Sequence, residues 1–381
     1  MEYTTISFYP VDCGDCILLE IKNGPKMMWD CNFRRAAEDE EQEDVYDVLN
    51  DLLNNKLTVK KYGLPFLDAF VLTHADQDHC RCFSEKFYTG DPNNISDEDK
   101  KAQKILIGEL WYSPRVIVED DDLCEDAKIF KQEAERRMNL FKTNPQAANK
   151  DGNRIRIIGW VKEDKLEGLE SRIATPRDEI NEVNGKKYSH FRMFIHAPFK
   201  DDIENATRNE TSIVMQIRID CDDRIDVGKI VLSGDCEWPV WEKIVEKSSD
   251  DKLKWDIFEA PHHCSWSYFG PDRESGEIKE ASLTFLDKKE RGAVIVSSSK
   301  YITRYDSTPP CEKAKNRYVE KVSDSNFFCT GGNKKDDKPA PVVFELKNNG
   351  FHVVKRSENK KAENTASPKQ PHVYGEILRP L

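Results

Sequence analysis

Four side chains able to hold a metal fall within six residues in Val71-Leu72-Thr73-His74-Ala75-Asp76-Gln77-Asp78-His79. A nearly all-apolar run over residues 65–73 ends there, and two imidazoles and two carboxylates follow. Imidazole and carboxylate are the ligands that borderline and hard divalent cations take. A strand end fixes the loop after it, so side chains there are aimed with little freedom. A loop turns alternate residues to two sides: His74 and Asp76 can face one cation, Asp78 and His79 a second. The plain alternative is a polar turn with a helix-capping Asp. Two His and two Asp packed this closely after an apolar strand make it the weaker reading.

The pattern returns twice. Ile230-Val231-Leu232-Ser233-Gly234-Asp235 is an apolar strand, a small turn and an acid. Trp255-Asp256-Ile257-Phe258-Glu259-Ala260-Pro261-His262-His263-Cys264-Ser265 ends a strand on two adjacent imidazoles. Each is ordinary alone. Three strand ends that all deliver Asp or His favour a two-metal site.

The elements that must position these residues are legible from periodicity. Strands are expected at 5–9, 16–21, 26–29 and 65–73, then at 154–160, 191–195, 212–219, 229–232, 255–258 and 293–297. A last hairpin is expected over 342–354, around Asn348-Asn349-Gly350. Helices are expected over 35–55 and 119–142. Two sets of strands, each followed by helical material, indicate an α/β arrangement with two sheets.

The chain has 381 residues, enough for one large domain or two ordinary ones. Its formal net charge of −12 argues against coating DNA by bulk charge. No apolar run approaches the ~20 residues a membrane helix needs. The first residues have neither the basic nor the apolar region of a secretory signal, so a cytoplasmic setting without a membrane partner is expected. The 11 cysteines are an odd number and are read as reduced. The close pairs Cys13/Cys16 and Cys80/Cys82 read better as small buried hydrophobes than as half of a zinc clip.

Taken together, the His-x-Asp-x-Asp-His, the Ser-Gly-Asp and the Pro-His-His-x-Ser resemble the metallo-β-lactamase superfamily. Within it they are most similar to the soluble domain of the ComEC competence proteins. Val11-Asp12-Cys13-Gly14-Asp15-Cys16-Ile17-Leu18-Leu19 resembles the opening Val-Gly-x-Gly-Asp of that branch, and Trp29-Asp30-Cys31-Asn32 its Ile-Asp-x-Gly. Phe194-Ile195-His196-Ala197-Pro198 followed by Asn209-Glu210-Thr211-Ser212 resembles its Leu-x-Pro and Asn-x-x-Ser. This chain has Asp12, Asn32 and Cys264 where the pattern has Gly. Tyr305-Asp306-Ser307-Thr308-Pro309 stands where the pattern has Tyr-Gly-His-Pro, so Asp306 or Ser307 occupies the place of a terminal His.

The resemblance implies a four-layer αβ/βα metallo-β-lactamase sandwich with its metals on one edge between the sheets. Residues 1–355 would form the domain, with 84–190 a large insertion that caps the site or binds a partner, and 356–381 a polar tail. By resemblance, His74 and Asp76 bind the first metal, and Asp78 and His79 the second. Asp235 bridges both. His262 or His263 completes the second metal or touches the substrate. Asp30 orients the His/Asp loop from behind, and Asn209 stands near the first metal. Asp76 sits where most of the superfamily has His, which makes the site oxygen-rich. Two divalent ions are therefore expected, zinc or manganese first, with magnesium tolerated.

The function so implied is a metal-dependent phosphodiesterase. It would be a nuclease hydrolysing DNA or RNA with a hydroxide activated by two metals, acting as an effector in bacterial defence. Asp78 would orient the hydroxide, and His262 or His263 would protonate the leaving oxygen. Arg154, Arg156, Lys186, Lys187, Arg192, Lys300 and Arg304 are candidates to hold phosphates, and Trp266, Tyr268 and Phe269 to stack a base. A protein regulator or a second copy of the chain is a further expected partner. Two alternatives remain. One is a hydrolase of a lactone, thioester or small cyclic phosphate. The other is a degenerate member that only binds.

Overall fold

The computed structural model describes residues 2–34, 46–119, 122–159, 166–205, 207–306, 309–334 and 337–354. The expected tail over 356–381, Ser307 and the first half of the expected helix over 35–55 lie outside them.

Leu64–Leu72 is buried along its length except at Asp68, the pattern of a strand covered on both faces. It lies in the middle of the larger sheet. On one side Lys26–Trp29 runs parallel to it, followed by the antiparallel strands Ile17–Glu20, Thr4–Phe8, Val342–Lys347 and Gly350–Val354. On the other side Leu106–Tyr112, Arg154–Ile158 and Ile173–Ala174 continue in parallel. Residues 84–190 therefore supply three strands of this sheet. They also supply the helix Glu125–Thr143, which packs Phe130, Ala134 and Met138 onto its outer face. That helix is expected from residue 119 and starts at 125, because Cys124 caps it: its Sγ accepts from Ala127 N at 3.5 Å. Arg137, fully buried, pairs with Glu133 of its own helix and ties that helix to the sheet through the carbonyls of Ile107 and Arg154.

The second sheet orders Glu179–Ile180, Phe191–Ala197, Val214–Cys221, Arg224–Leu232, Trp255–Glu259, Lys289–Ser297 and Phe327–Cys329. Its strands are antiparallel as far as Arg224–Leu232 and parallel beyond.

Alternation along the strands makes the layers. In the first sheet Ile17, Leu19, Met27, Trp29 and Val71 face the second sheet's Met215, Ile217, Ile230, Leu232 and Ile257. Leu18, Met28, Phe70 and Leu72 face the helices outside. Across the molecule Val231, Phe258 and Ile295 meet Trp241, Phe285 and Tyr318 on the outer helices. Helix, sheet, sheet, helix is the four-layer αβ/βα sandwich. Among the described residues no helix is long and apolar enough to cross a membrane.

Along its main strand order each sheet changes from antiparallel to parallel once, the short Lys60–Lys61 pairing antiparallel with Leu64–Leu72 off that path. The switch falls between Ile17–Glu20, Lys26–Trp29 and Leu64–Leu72 in the first sheet. In the second it falls between Val214–Cys221, Arg224–Leu232 and Trp255–Glu259. The loops that leave the C-terminal ends of Lys26–Trp29, Leu64–Leu72, Arg224–Leu232 and Trp255–Glu259 meet in a crevice at one edge of the sandwich.

Candidate metal centre

All three chemistry-bearing strand ends open into that crevice, joined by a fourth at Asp30. The connections are tied across the edge: Ile213 N donates to Thr73 O at 3.2 Å, and His262 N to Gly234 O at 3.0 Å. Gly234 has φ +49°, and a Cβ there would lie 2.9 Å from Thr73 Oγ1. Only glycine lets the Asp235 turn sit this close to the His74 loop. Gly14 does the same for the first loop: a Cβ would meet Asn32 Nδ2 at 2.1 Å and the Asp78 carbonyl at 2.7 Å. Asp12 and Cys264 hold left-handed φ of +70° and +68°. His262 and His263 are left-handed as well, at +50° and +53°. Three successive non-glycine residues in that region store strain at the site.

The Asp235 carboxylate stands at the centre and divides its two oxygens. Oδ1 lies 3.2 Å from His79 Nε2 and 3.4 Å from His263 Nε2. Oδ2 lies 3.5 Å from His262 Nε2 and 3.8 Å from His74 Nε2. Asp78 Oδ2 joins the first set, 3.2 Å from His263 Nε2, and Asp76 Oδ2 joins the second, 3.4 Å from His74 Nε2. Asp78, His79, Asp235 and His263 each offer a ligand atom, all within 4.8 Å of one another. The adjacent histidines are thus split. His263 faces Asp78 and His79, and His262 faces the side of His74 and Asp76.

Behind the ligands the outer nitrogens are held. Asp30, fully buried, accepts from Thr73 N at 2.7 Å and Thr73 Oγ1 at 2.6 Å, and lies 2.8 Å from His79 Nδ1. This fixes His79 with Nε2 turned to Asp235. His74 Nδ1 lies within 3.1 Å of Thr73 Oγ1 and 3.3 Å of Ser212 Oγ. Asn209 reaches the site indirectly: its Nδ2 lies 3.4 Å from Glu237 Oε1, which stands 3.7 Å from His262 Nδ1.

The electrostatics favour positive charge. Burial lowers the affinity of His79 for a proton, but Asp235, Asp30 and Asp78 outweigh it and drive its pKa well up. His262 and His263 are raised in the same way against burial, chiefly by Asp235. Burial would raise the carboxylates, yet His79 and His263 bring Asp78 down to about 2. His263 and His79 hold Asp235 well below its usual range. A field that draws a proton onto buried imidazoles draws a metal cation as well. His74 Nε2, His79 Nε2, His263 Nε2 and Asp235 Oδ1 are buried without a hydrogen-bond partner, a costly state for protein groups alone. Buried, unpartnered and convergent, these N and O donors fit one or two divalent cations.

No protein-family model matches the sequence, and no curated protein matches it significantly. Among solved structures the chain is similar to the isothiocyanate hydrolase from Delia radicum gut bacteria. The two share 12% identity at TM-score 0.38, over 90% of this chain and 99% of that one. It is also similar to unliganded yeast PDE1, with 12% identity at TM-score 0.35, over 84% of this chain and 93% of that one. Both likenesses are distant.

Other sequence candidates fall elsewhere. Asp306 receives Thr303 N and Thr303 Oγ1 and pairs with Lys300 at 2.9 Å. Trp266, Tyr268 and Phe269 are buried in the outer core of the second sheet, which removes them as a base-stacking platform. Arg154 pairs with Asp151, Arg156 with Glu109 and Arg192 with Asp220 and Asp226.

Three further groups at the site carry no role in the sequence reading. Asp15 is buried, 3.6 Å from His79 Nδ1 and 3.8 Å from His263 Nδ1. Its signal was present, since it too follows a strand-end turn. Glu259 is buried beside it and pushed up to about 7, burial being the main cause. Arg208 pairs with Asp76 and forks onto Glu119 at 2.8 Å. A cavity of about 610 Å³ opens beside Asp76, lined by Ala75, Gln77, Leu123, Cys124, Lys128 and Arg208.

Proposed function

We propose that this chain is a metal-dependent hydrolase and that its substrate is a phosphodiester, a nucleic-acid strand being the polymeric form. The observation that carries this reading is the Asp235 carboxylate, which turns one oxygen to each of two His/Asp groups. Asp78, His79, His263 and Asp235 Oδ1 would hold one divalent ion. His74, Asp76 and Asp235 Oδ2 would hold the other, with His262 Nε2, 3.5 Å from that oxygen, left free of the ion. Bound there, such ions supply Lewis-acid polarisation of a substrate oxygen and make a water acidic near neutral pH.

The chain's own residues do the rest. Asp76 and Asp78 remain about a third exposed, at 31% and 34%, so both carboxylates reach the crevice where substrate enters. Asp78 orients the attacking water. His262, 21% exposed against 2% for His263, is the imidazole that can hand a proton to a leaving oxygen. Glu237 at 3.7 Å and Ser267 Oγ at 3.2 Å hold its other nitrogen.

Two observations favour a second reading, hydrolysis of a small lactone, thioester or cyclic phosphate. The cavity beside Asp76 has the volume of a small-molecule site, and most of the expected phosphate-gripping arginines are already paired. One experiment separates the readings. Metal content is measured by mass spectrometry. In parallel, bis-p-nitrophenyl phosphate, DNA and RNA are offered with Mn²⁺, Mg²⁺ or Zn²⁺, with and without Asp78→Ala. Two metals per chain with phosphodiester cleavage that the substitution abolishes is the expected result. Two metals with no phosphodiester cleavage moves the substrate to the small-molecule class. Absence of both metal and cleavage overturns the hydrolase.

A further inference from the structure

Cys80 and Cys124 come from different parts of the fold, and their sulfurs lie 3.6 Å apart. Cys80 closes the turn Gln77–Cys80 that carries Asp78 and His79, and its thiol donates to the Asp76 carbonyl at 3.3 Å. Cys124 caps the 19-residue helix Glu125–Thr143. Its Sγ receives Ala127 N, so it sits where helix amides favour a negative charge. Cys80 is buried, whereas Cys124 is partly exposed and lines the 610 Å³ cavity beside Asp76.

Two other described thiols are partly exposed, Cys13 and Cys221. Burial is the main cause that pushes Cys13 up to about 11, and burial raises Cys221 as well. Cys124 moves the other way: its contact with Cys80 lowers it, and the helix amide of Ala127 adds to that, against the effect of burial. A solvent-reachable thiol with thiolate character, touching a second thiol shielded from water, has the arrangement of an attacking and a resolving cysteine.

We propose that Cys80 and Cys124 are a redox modification site, at which a hydroperoxide closes a reversible disulfide between the metal loop and the helix Glu125–Thr143. The Cys124 thiolate attacks one peroxide oxygen, the O–O bond breaks, and hydroxide leaves. Cys124 is then a sulfenic acid. The Cys80 sulfur attacks the Cys124 sulfur, the S–O bond breaks, and water leaves with the Cys80 proton. Two thiols are oxidised by two electrons in all, and the peroxide is reduced to the water level. Closure from 3.6 Å to the roughly 2.05 Å of a disulfide needs the two side chains to turn toward each other.

The test is a thiol map of the full chain. Reduced protein is treated with near-stoichiometric hydrogen peroxide. Free thiols are alkylated, and peptides are mapped without reduction. The expected result is the loss of two of the 11 thiols, a linked peptide pair joining Cys80 to Cys124, and full recovery with dithiothreitol. Cys124 should be consumed at least about tenfold faster than Cys13 or Cys221. Cys124→Ser should leave Cys80 reduced, and Cys221→Ser should change nothing. Cys124 driven to sulfinic acid while Cys80 stays free, or first oxidation at another cysteine, overturns the proposal. The decisive map is read on the unsubstituted chain and needs neither bound metal nor hydrolytic activity.

Discussion

The two groups that meet on Asp235 are built to different standards of rigidity. The group of Asp78, His79 and His263 is closed. Asp30 holds His79 Nδ1 from behind at 2.8 Å, and Asp15 stands within 4 Å of both imidazoles. The group of His74, Asp76 and His262 is open. Its His74 is backed only by the hydroxyls of Thr73 and Ser212, and its Asp76 is shared with Arg208. Hydroxyls steady an imidazole without adding charge, whereas a buried carboxylate also strengthens its hold on a cation. On the proposed reading the closed group would be the permanent metal site. The open group, beside the cavity, is where metal exchange and substrate entry are expected.

The largest effect comes from removing what the groups share. Asp235→Ala takes an oxygen from each, and both metals are expected to be lost, with hydrolysis down by roughly 10³-fold or more. Metal content by mass spectrometry checks this. Retention of one tightly held ion would show that the closed group is complete without Asp235 and would break the symmetry drawn here.

Next in size is the contrast between adjacent histidines. His263→Ala should lower metal content from two per chain to one. His262→Ala should leave the closed site filled and lower hydrolysis chiefly through the leaving-group step, about 10²-fold. Stepwise chelation gives the same ranking without a mutation. One ion should leave readily and the second only with a large fall in melting temperature, because an ion that binds only the folded chain stabilises it by mass action. Equal effects of the two substitutions would erase the distinction.

Much of this site is legible in the sequence, for a physical reason. A polar side chain after an apolar strand stands out, so His74, Asp76, Asp78, His79, Asp235 and the His262/His263 pair can be read from one line of text. So can the two sheets, whose strands are short apolar runs. The division of labour between His262 and His263 is not legible, since it depends on left-handed backbone at both residues. Nor are Glu259 and Arg208 with Glu119, which acquire their roles only when distant segments fold together. Of the parallel strands within 84–190, Arg154–Ile158 falls within the expected 154–160, whereas Leu106–Tyr112 and Ile173–Ala174 are harder to read. Leu106–Tyr112 is buried at every position and shows no alternation, and its Glu109 is accommodated by Arg156 and the Asn184 amide.

A smaller pair of substitutions sharpens the comparison from behind the ligands. Asp30→Asn leaves three converging donors facing an amide, and should weaken metal binding at the closed group by about 10–100-fold. Unmade hydrogen bonds to a buried group add a stability loss of about 1–3 kcal/mol. Ser212→Ala, behind His74, should weaken the open group by only a few-fold, since Thr73 Oγ1 remains at 3.1 Å. Titration of apo protein with Zn²⁺ or Mn²⁺ reads both. A larger loss for Ser212→Ala than for Asp30→Asn would reverse the assignment of rigid and open sides.

The smallest effect is expected at Arg208, and its direction is the informative part. Arg208 holds Asp76 by one arm and Glu119 by the other, linking the open group to the segment that walls the cavity. Arginine and metal compete for the same carboxylate, so the cation that steadies Asp76 in the apo chain also opposes ion binding there. Arg208→Gln removes the competitor and loosens the wall. Affinity of the open group for metal should stay within a few-fold of the parent, while KM for an anionic substrate rises, because the cavity loses its guanidinium. Metal titration and steady-state kinetics on the same preparation read the two quantities separately. A large fall in metal affinity with unchanged KM would mean that Arg208 serves only to aim Asp76, and the open group would then be as tightly braced as its partner.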